Sequence, residues 1–336
     1  MRGGIWMFSK DVGIDLGTTN ILIHLKGKGI ILNEPSVMAI DPKTKKILAV
    51  GEDARKMIGR AHGRIEIVKP LKDGVIDDFD MTEAMLKYFI QKLKLKTFFK
   101  KPRILICCPS NITPVEQNAI KEAAMHAGGR NVYIEEEPKV AAIGAGLEIF
   151  QPSGSMVIDI GGGTSDIAVL SMGEIVTSES IRIAGNQFDQ DIIQFIKRQY
   201  KLLIGENTAE QIKCQIATVH LAEKNDKMDI RGRDLISGLP KSIEISSEEI
   251  FEAIKESVDA IVRTTKSVLE RTPPELSADI IDRGIMLAGG GALLHGLSHL
   301  LAEELLVPVY IAENPLNCVV EGTGEILKNL DKISKK

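Results

Sequence analysis

Two aspartates carry the first sign of chemistry. Asp15 stands in "GIDLGTTNILI" and Asp159 in "VIDIGGGTSDIAVL"; each closes an apolar run, precedes a glycine turn with a threonine, and is followed by a second apolar run. Glycines let neighbouring backbone N–H groups point into one concavity, a nest that binds phosphate oxygens without a lysine. A carboxylate beside a phosphate repels it unless a divalent cation intervenes. Mg2+ suits that place, because it keeps several waters and is held through few carboxylates plus the phosphates of its substrate. Asp15 and Asp159 therefore point to a metal–nucleotide complex gripped by two turns. Taken singly, either turn also reads as an ordinary hairpin. A third cluster, "LAGGGALLHG" at 287–296, allows close approach of a base or ribose. It lacks the G-x-G-x-x-G spacing of a dinucleotide site, and no G-x-x-x-x-G-K-[ST] occurs, which excludes a P-loop.

The elements around these residues follow from pattern. Val12–Leu16 and Ile21–Leu25 are short β-rich runs joined by "GTTN", a hairpin, and "GIILNEPSVMAI" and "KKILAVG" continue in strands. "MTEAMLKYFIQKLKL" is a helix with Thr82 as its cap, and "RILICCP" a buried strand. "TPVEQNAIKEAAMHAGG" is a helix capped by Thr113, entered by Pro114 and stopped by Gly128 and Gly129; "PKVAAIGAGLEIF" is another. After the second turn come a strand "EIVTSESIRI", helices "QFDQDIIQFIKRQYKLLIG" and "TAEQIKCQIATV", and short strands "MDIRGRD" and "KSIEIS". A long helix follows, capped by Ser246 or Ser247, then a strand "RGIMLAGG" and a helix "ALLHGLSHLLAEEL". The mixture indicates α/β layers. The two aspartate hairpins lie 144 residues apart, which suits two domains that open alike rather than a repeat array.

Composition sets bounds. With 336 residues, 44% apolar and 26% charged, the chain reads as two domains of ordinary size with ample core. A net charge of -4 is too mild to indicate nucleic-acid binding. No apolar stretch approaches the roughly 20 residues of a membrane span, and "MRGGIWMFSK" is charged too early for a signal peptide. Cys107, Cys108, Cys214 and Cys318 lack metal-ligand spacing and read as reduced, buried thiols of a cytoplasmic protein.

Phosphate, phosphate, nucleoside is the order of glycine sites in the actin–Hsp70–sugar kinase superfamily, and the wording narrows it. "DLGTTN", "NEPSV", "KDGVI", "EEEPKVAAIGAG", "DIGGGTSDIAV", "LLIGENTAEQIK", "RGRDLISGLP", "ERTPPELSADIIDRG" and "LAGGGALLHGL" resemble the MreB family of bacterial actins, and "GIILNEP", "RILICCP" and "IFQPSG" resemble its Gram-positive Mbl branch. The resemblance runs from about Met7, which would then be the start. Thr19 and Ser165 depart from the family's usual "DLGTAN" and "GGGTT" and preserve the turns; Asn186 stands where the family usually has an acid, so no acidic role is carried there.

The resemblance implies an α/β actin-like ATPase fold: two related domains, each with a large and a small subdomain, around a nucleotide cleft. Its boundaries would be 7–33, 75–148 and 322–336 for IA, 34–74 for IB, 149–183 and 248–321 for IIA, and 184–247 for IIB. It implies ATP with Mg2+ as cofactors. Thr18, Thr19 and Asn20 would form the first phosphate loop, and Gly161, Gly162, Gly163 and Thr164 the second. Glu210 and Lys213 would reach ribose and base, although by themselves they read as an intrahelical salt bridge. Gly289, Gly290, Gly291, Ala292 and Leu293 would line the adenosine. Asp15 and Asp159 would hold the metal. Glu137 would position the attacking water with help from Thr164, where its residue-level alternative is a helix-end charge.

A slowly hydrolysing filament protein is the function so implied, with assembly of paired protofilaments through Val115 at the start of its helix. It would lie on the inner face of the cytoplasmic membrane and organise the cell-wall elongation machinery and rod shape. "KLKLKTFFKKPR" carries six basic residues and no acid around Phe98 and Phe99; the rings read equally as core or as a membrane anchor, and the resemblance implies the anchor, with Met7 and Phe8 as a second. The alternative class is a sugar kinase or a chaperone-type ATPase on the same fold. No acceptor-pocket motif supports the first, and the chain ends at Lys336 with no peptide-binding domain for the second.

Overall fold

The computed structural model describes residues 11–95, 101–110 and 112–333, with side chains to 328. The chain divides into two compact units, one of residues up to Val140 together with Val319 onward, the other of Ala141–Cys318.

The first unit opens with β1 (Asp11–Leu16), β2 (Asn20–Leu25), β3 (Gly29–Pro35), β4 (Met38–Ile40) and β5 (Ile47–Val50). It continues through α1 (Glu52–Arg55), β6 (Glu66–Val68), β7 (Leu71–Lys72), β8 (Val75–Ile76), α2 (Phe79–Lys92), β9 (Arg103–Cys108), α3 (Pro114–Ala127), β10 (Asn131–Glu136) and α4 (Glu137–Gly144). Its main sheet has the order β10-β9-β1-β2-β3. Alternation decides what each face of β1 meets. Val12, Ile14 and Leu16 join Met85, Leu86, Phe89 and Ile90 of α2 and Ile120, Ala123 and Ala124 of α3 in one core. Gly13 faces the other way, where a Cβ would lie 1.9 Å from Thr323 Oγ1 of the last helix, so only glycine admits that helix. Buried Asp11 is gripped by Arg103, Nε–Oδ1 2.8 Å and Nη2–Oδ2 2.6 Å, across the parallel β1–β9 pair.

The second unit runs β11 (Ser155–Ile160), β12 (Ser165–Ser171), β13 (Glu174–Ile181), α5 (Gly185–Tyr200), β14 (Leu202–Leu203), α6 (Glu206–Ile216), β15 (Lys227–Asp234), β16 (Pro240–Ser246) and α7 (Ser247–Glu270). Then come α8 (Pro274–Arg283), β17 (Ile285–Ala288), a 3-10 turn at Gly290–Leu293, α9 (Leu297–Leu305) and β18 (Val309–Ile311); α10 (Cys318–Ile333) leads back into the first unit. The sheet order is β13-β12-β11-β17-β18. Strand for strand this repeats the first unit. β11 stands for β1, with an antiparallel hairpin partner on one side and a parallel strand on the other. Both central strands have six residues with aspartate fifth. Met156, Ile158 and Ile160 enter a core with Phe188 and Ile192 of α5 and Ile254 and Ile261 of α7, which turns Asp159 to the opposite face.

Caps account for several helix starts. Thr113 and Glu116 form a reciprocal capping box on α3, as do Ser246 and Glu249 on α7, so Ser246 rather than Ser247 is the cap. The sequence reading needs correcting in five places. Asp78, not Thr82, caps α2: its Oδ1 accepts from Met81 N at 3.0 Å, while Thr82 is buried inside the first turn and its hydroxyl donates to Asp78 O. α4 ends at Gly144 instead of reaching Phe150. α5 ends at Tyr200, because Lys201 is left-handed at φ 53° and Leu202–Leu203 turn into a strand paired with Arg233 and Asp234. The helix expected from Ala292 begins at Leu297, after Gly296 at φ 80°. Cys214 is exposed, unlike the other three thiols. Three helices, α1, α8 and α10, were not anticipated.

Candidate functional site: two glycine turns and their aspartates

In the first unit the turn between β1 and β2 is tied back by its own neighbours. Ser36 Oγ donates to Gly17 O at 2.7 Å, and Ser36 N to Thr19 O at 2.8 Å. Gly74 N donates to Thr18 Oγ1 at 2.9 Å, which leaves that hydroxyl's own proton for another acceptor. Gly17 must be glycine, because a Cβ would lie 2.7 Å from Asn20 O. Asn20 Nδ2 donates to Asn33 Oδ1 at 2.7 Å, and Thr19 is exposed at the tip. Thr18, Thr19 and Asn20 thus form one braced turn.

Asp15, the last residue but one of β1, pairs with Cys107 of β9. Burial raises its carboxyl to about 7. The Cys107 thiol is pushed well above its ordinary value, first by burial and then by the charges of Asp15 and Glu137. Glu137, the first residue of α4, therefore shares the electrostatic surroundings of Asp15. A strand end that gathers carboxylates in poor solvent suits a cation. Among the described residues no group of three or more metal-ligating side chains is assembled.

The second unit closes its turn more tightly. Gly161 N donates to Thr164 O at 2.9 Å. The first N–H groups of α5 reach the same turn: Gly185 N to Gly161 O at 3.1 Å, Asn186 N to Gly162 O at 2.8 Å. The carbonyls of Gly161 and Gly162 are thereby engaged by the start of α5. Thr164 is buried at its end. Asp159, 6% exposed, lies under the third glycine cluster: a Cβ on Gly289 would lie 2.4 Å from Asp159 Oδ1, and one on Gly291 2.2 Å from Ile160 Cγ2. Gly289 and Gly291 are thus required by the protein's own strand end. A close-approaching base was the sequence expectation for them, and this contact explains them without it. Gly290 lies between them, Ala292 is buried, and Leu293 is 57% exposed.

Lys213 does not bond to Glu210. Its ammonium donates to Gly185 O at 2.9 Å and to Asp189 Oδ2 at 2.9 Å, which overturns the intrahelical salt bridge. Asp189 went unnoticed in the sequence; only the fold brings α5 against α6. Val115 is 77% exposed on the first turn of α3. Phe98 and Phe99 lie outside the described residues, as do Met7 and Phe8. No helix among the described residues is long and apolar enough to cross a membrane.

A model of the MreB/Mbl protein family matches residues 9–335. The chain belongs to the MreB/Mbl family. It is 66% identical over 330 residues to the cell shape-determining protein Mbl of Bacillus cereus, covering 98% of this chain and 99% of that protein. Among solved structures, MreB5 of Spiroplasma citri bound to AMPPNP matches with a TM-score of 0.92 at 42% identity, over 96% of this chain and 97% of that one. A MamK double helical filament matches at TM-score 0.81 and 20% identity, over 94% and 98%, a likeness of fold alone. The actin-like α/β fold expected from the sequence is the fold of this MreB/Mbl chain.

Proposed function

We propose that this MreB/Mbl chain is a cell shape-determining, ATP-binding cytoskeletal protein. It polymerises into filaments on the inner face of the cytoplasmic membrane, organises cell-wall elongation and rod shape, and hydrolyses ATP slowly in step with assembly. The observation that carries this is near-full-length identity of 66% to an Mbl cell-shape protein. The AMPPNP bound to a 42% identical MreB5 supports nucleotide binding.

Within that reading, Thr18, Thr19 and Asn20 bind phosphate in the first unit, and Gly161, Gly162, Gly163 and Thr164 bind it in the second. Glu210 and Lys213 serve the nucleoside, as do Gly289 to Leu293. Asp15 and Asp159 would hold Mg2+, through water. When bound, Mg2+ neutralises phosphate charge and polarises the bond to be cleaved. Glu137 accepts a proton from the attacking water while Thr164 orients it, a contribution of about 10² to 10⁴-fold. The division into subdomains IA, IB, IIA and IIB follows the family. Phe98 and Phe99 anchor the filament, Val115 contacts a second protofilament, and the elongation machinery is the partner. Each buried ring is worth roughly 1.5–3 kcal/mol. A monomer therefore binds weakly and a polymer firmly, because multivalency multiplies attachment without new contacts.

The test is electron microscopy and co-sedimentation of the purified chain with Mg-ATP and anionic liposomes. Membrane-bound filaments are expected, and the Phe98→Ser/Phe99→Ser double variant should still polymerise but leave the liposomes. Dispersed monomers in every nucleotide state would sink the reading; full pelleting of the double variant would remove these rings from it.

A further inference from the structure

Lys213 is held in an unusual way for a surface lysine. Its ammonium is 2.9 Å from each oxygen of Asp189, of which Oδ2 is aligned to accept, and 2.9 Å from Gly185 O. Both side chains are largely sheltered, 19% exposed for Lys213 and 13% for Asp189. Gly185 is also the residue whose N–H grips Gly161 O in the glycine turn. A Cβ on Gly185 would lie 3.3 Å from Gly161 O and 3.5 Å from Lys213 Nζ, so lysine, helix start and turn meet at one point. An ammonium has three protons; Gly185 O and Asp189 take two, and one remains beside the turn.

We infer that Asp189 is a positioning residue for nucleotide binding: it fixes the Lys213 ammonium beside the Gly161–Thr164 turn so that the third N–H meets an oxygen of the nucleotide. This rests on the proposed role of Lys213 and the turn. Without Asp189 the Lys213 ammonium keeps Gly185 O as its single fixed acceptor, and Glu206 and Glu210, whose charges already reach the Asp189 carboxylate, compete for it.

Lys213 favours the charged form of Asp189, and burial opposes it. Burial is the main influence on Asp189 and raises its carboxyl to about 6, more than the Lys213 charge lowers it; Glu210 and Glu206 raise it further. A carboxyl raised in the folded state contributes stability that is present below its ordinary value near 4 and is lost as pH rises through about 6. At pH 8 the ionised, half-desolvated carboxylate is thus held at a cost to folding, as buried ion pairs often are. A group kept ionised against its surroundings is better explained by what its partner does.

The experiment is a double-mutant cycle on Mg-ATP affinity at pH 8, with Asp189→Asn, Lys213→Gln and both, and thermal melting of each without nucleotide. Asp189→Asn is expected to weaken affinity about tenfold, equivalent to about 1.4 kcal/mol. The double variant should be no weaker than Lys213→Gln alone, because the two act as one unit. Nucleotide-free Asp189→Asn should melt at or above the wild-type temperature. The proposal is overturned if Asp189→Asn binds normally while Lys213→Gln is impaired, if the losses add, or if melting falls with affinity. Normal binding by Lys213→Gln would instead remove the nucleotide role of Lys213 itself.

Discussion

At the residue scale, the two aspartates differ in what surrounds them. Asp15 is shifted by burial alone, whereas Asp159 lies under a glycine in a left-handed conformation. Gly289 sits at φ 77°, and any Cβ there would strike Asp159 Oδ1 and Ile160 O within 2.4 Å. Gly289→Ala should therefore destabilise the fold by about 1–3 kcal/mol in urea titration, and it should weaken Mg-ATP binding by displacing Asp159. Gly290→Ala, with its nearest atom Leu316 Cδ2 at 3.2 Å and no positive φ, should be much milder; equal losses would refute the argument. The two hairpins with aspartate fifth in the first strand were legible because glycine turns punctuate apolar runs. Asp189 was not legible, since it lies 24 residues from Lys213 and only helix packing joins them. Glu210, three residues from Lys213, offered a nearer partner that the fold does not use.

At the element scale, helix starts were readable where the cap and the apolar period coincide. Thr113, Pro114 and Glu116 form such a start, and Thr113→Ala should cost about 1 kcal/mol in chemical denaturation. Asp78→Ala should cost about the same through α2, while an effect confined to Thr82 variants would restore Thr82 as the cap. α10 escaped the reading for a physical reason. "CVVEGTGEIL" contains two glycines, which lower helix propensity by about 1 kcal/mol each. Yet a Cβ on Gly322 would lie 2.0 Å from Val140 O, and one on Gly324 2.5 Å from His24 Nε2. Close packing demands the residues that local propensity disfavours. The switch from α5 into β14 was hidden likewise, because "KLL" becomes a strand only through pairing with Arg233 and Asp234.

At the scale of the whole molecule, the similarity of two hairpins 144 residues apart expands into two sheets of one strand order. The proposed filament pairing belongs to this scale as well. Val115→Glu places a charge at the most exposed apolar position of α3 and leaves its capping box intact. Single protofilaments should replace pairs in negative-stain images, and pairs at wild-type abundance would reject the contact. The clamp of Arg103 on Asp11 has a mechanical consequence. β1 is gripped on one side by parallel β9 and on the other by antiparallel β2. A pull on the chain where it enters Asp11, directed along the strand, loads both rows of hydrogen bonds in shear, so they resist together instead of peeling one by one. The ion pair takes the first share of that load. Four residues further on, roughly 13 Å along the same rod at about 3.3 Å per residue, stands Asp15. Traction on the clamped end of β1 would therefore bear on the same strand that carries that carboxylate.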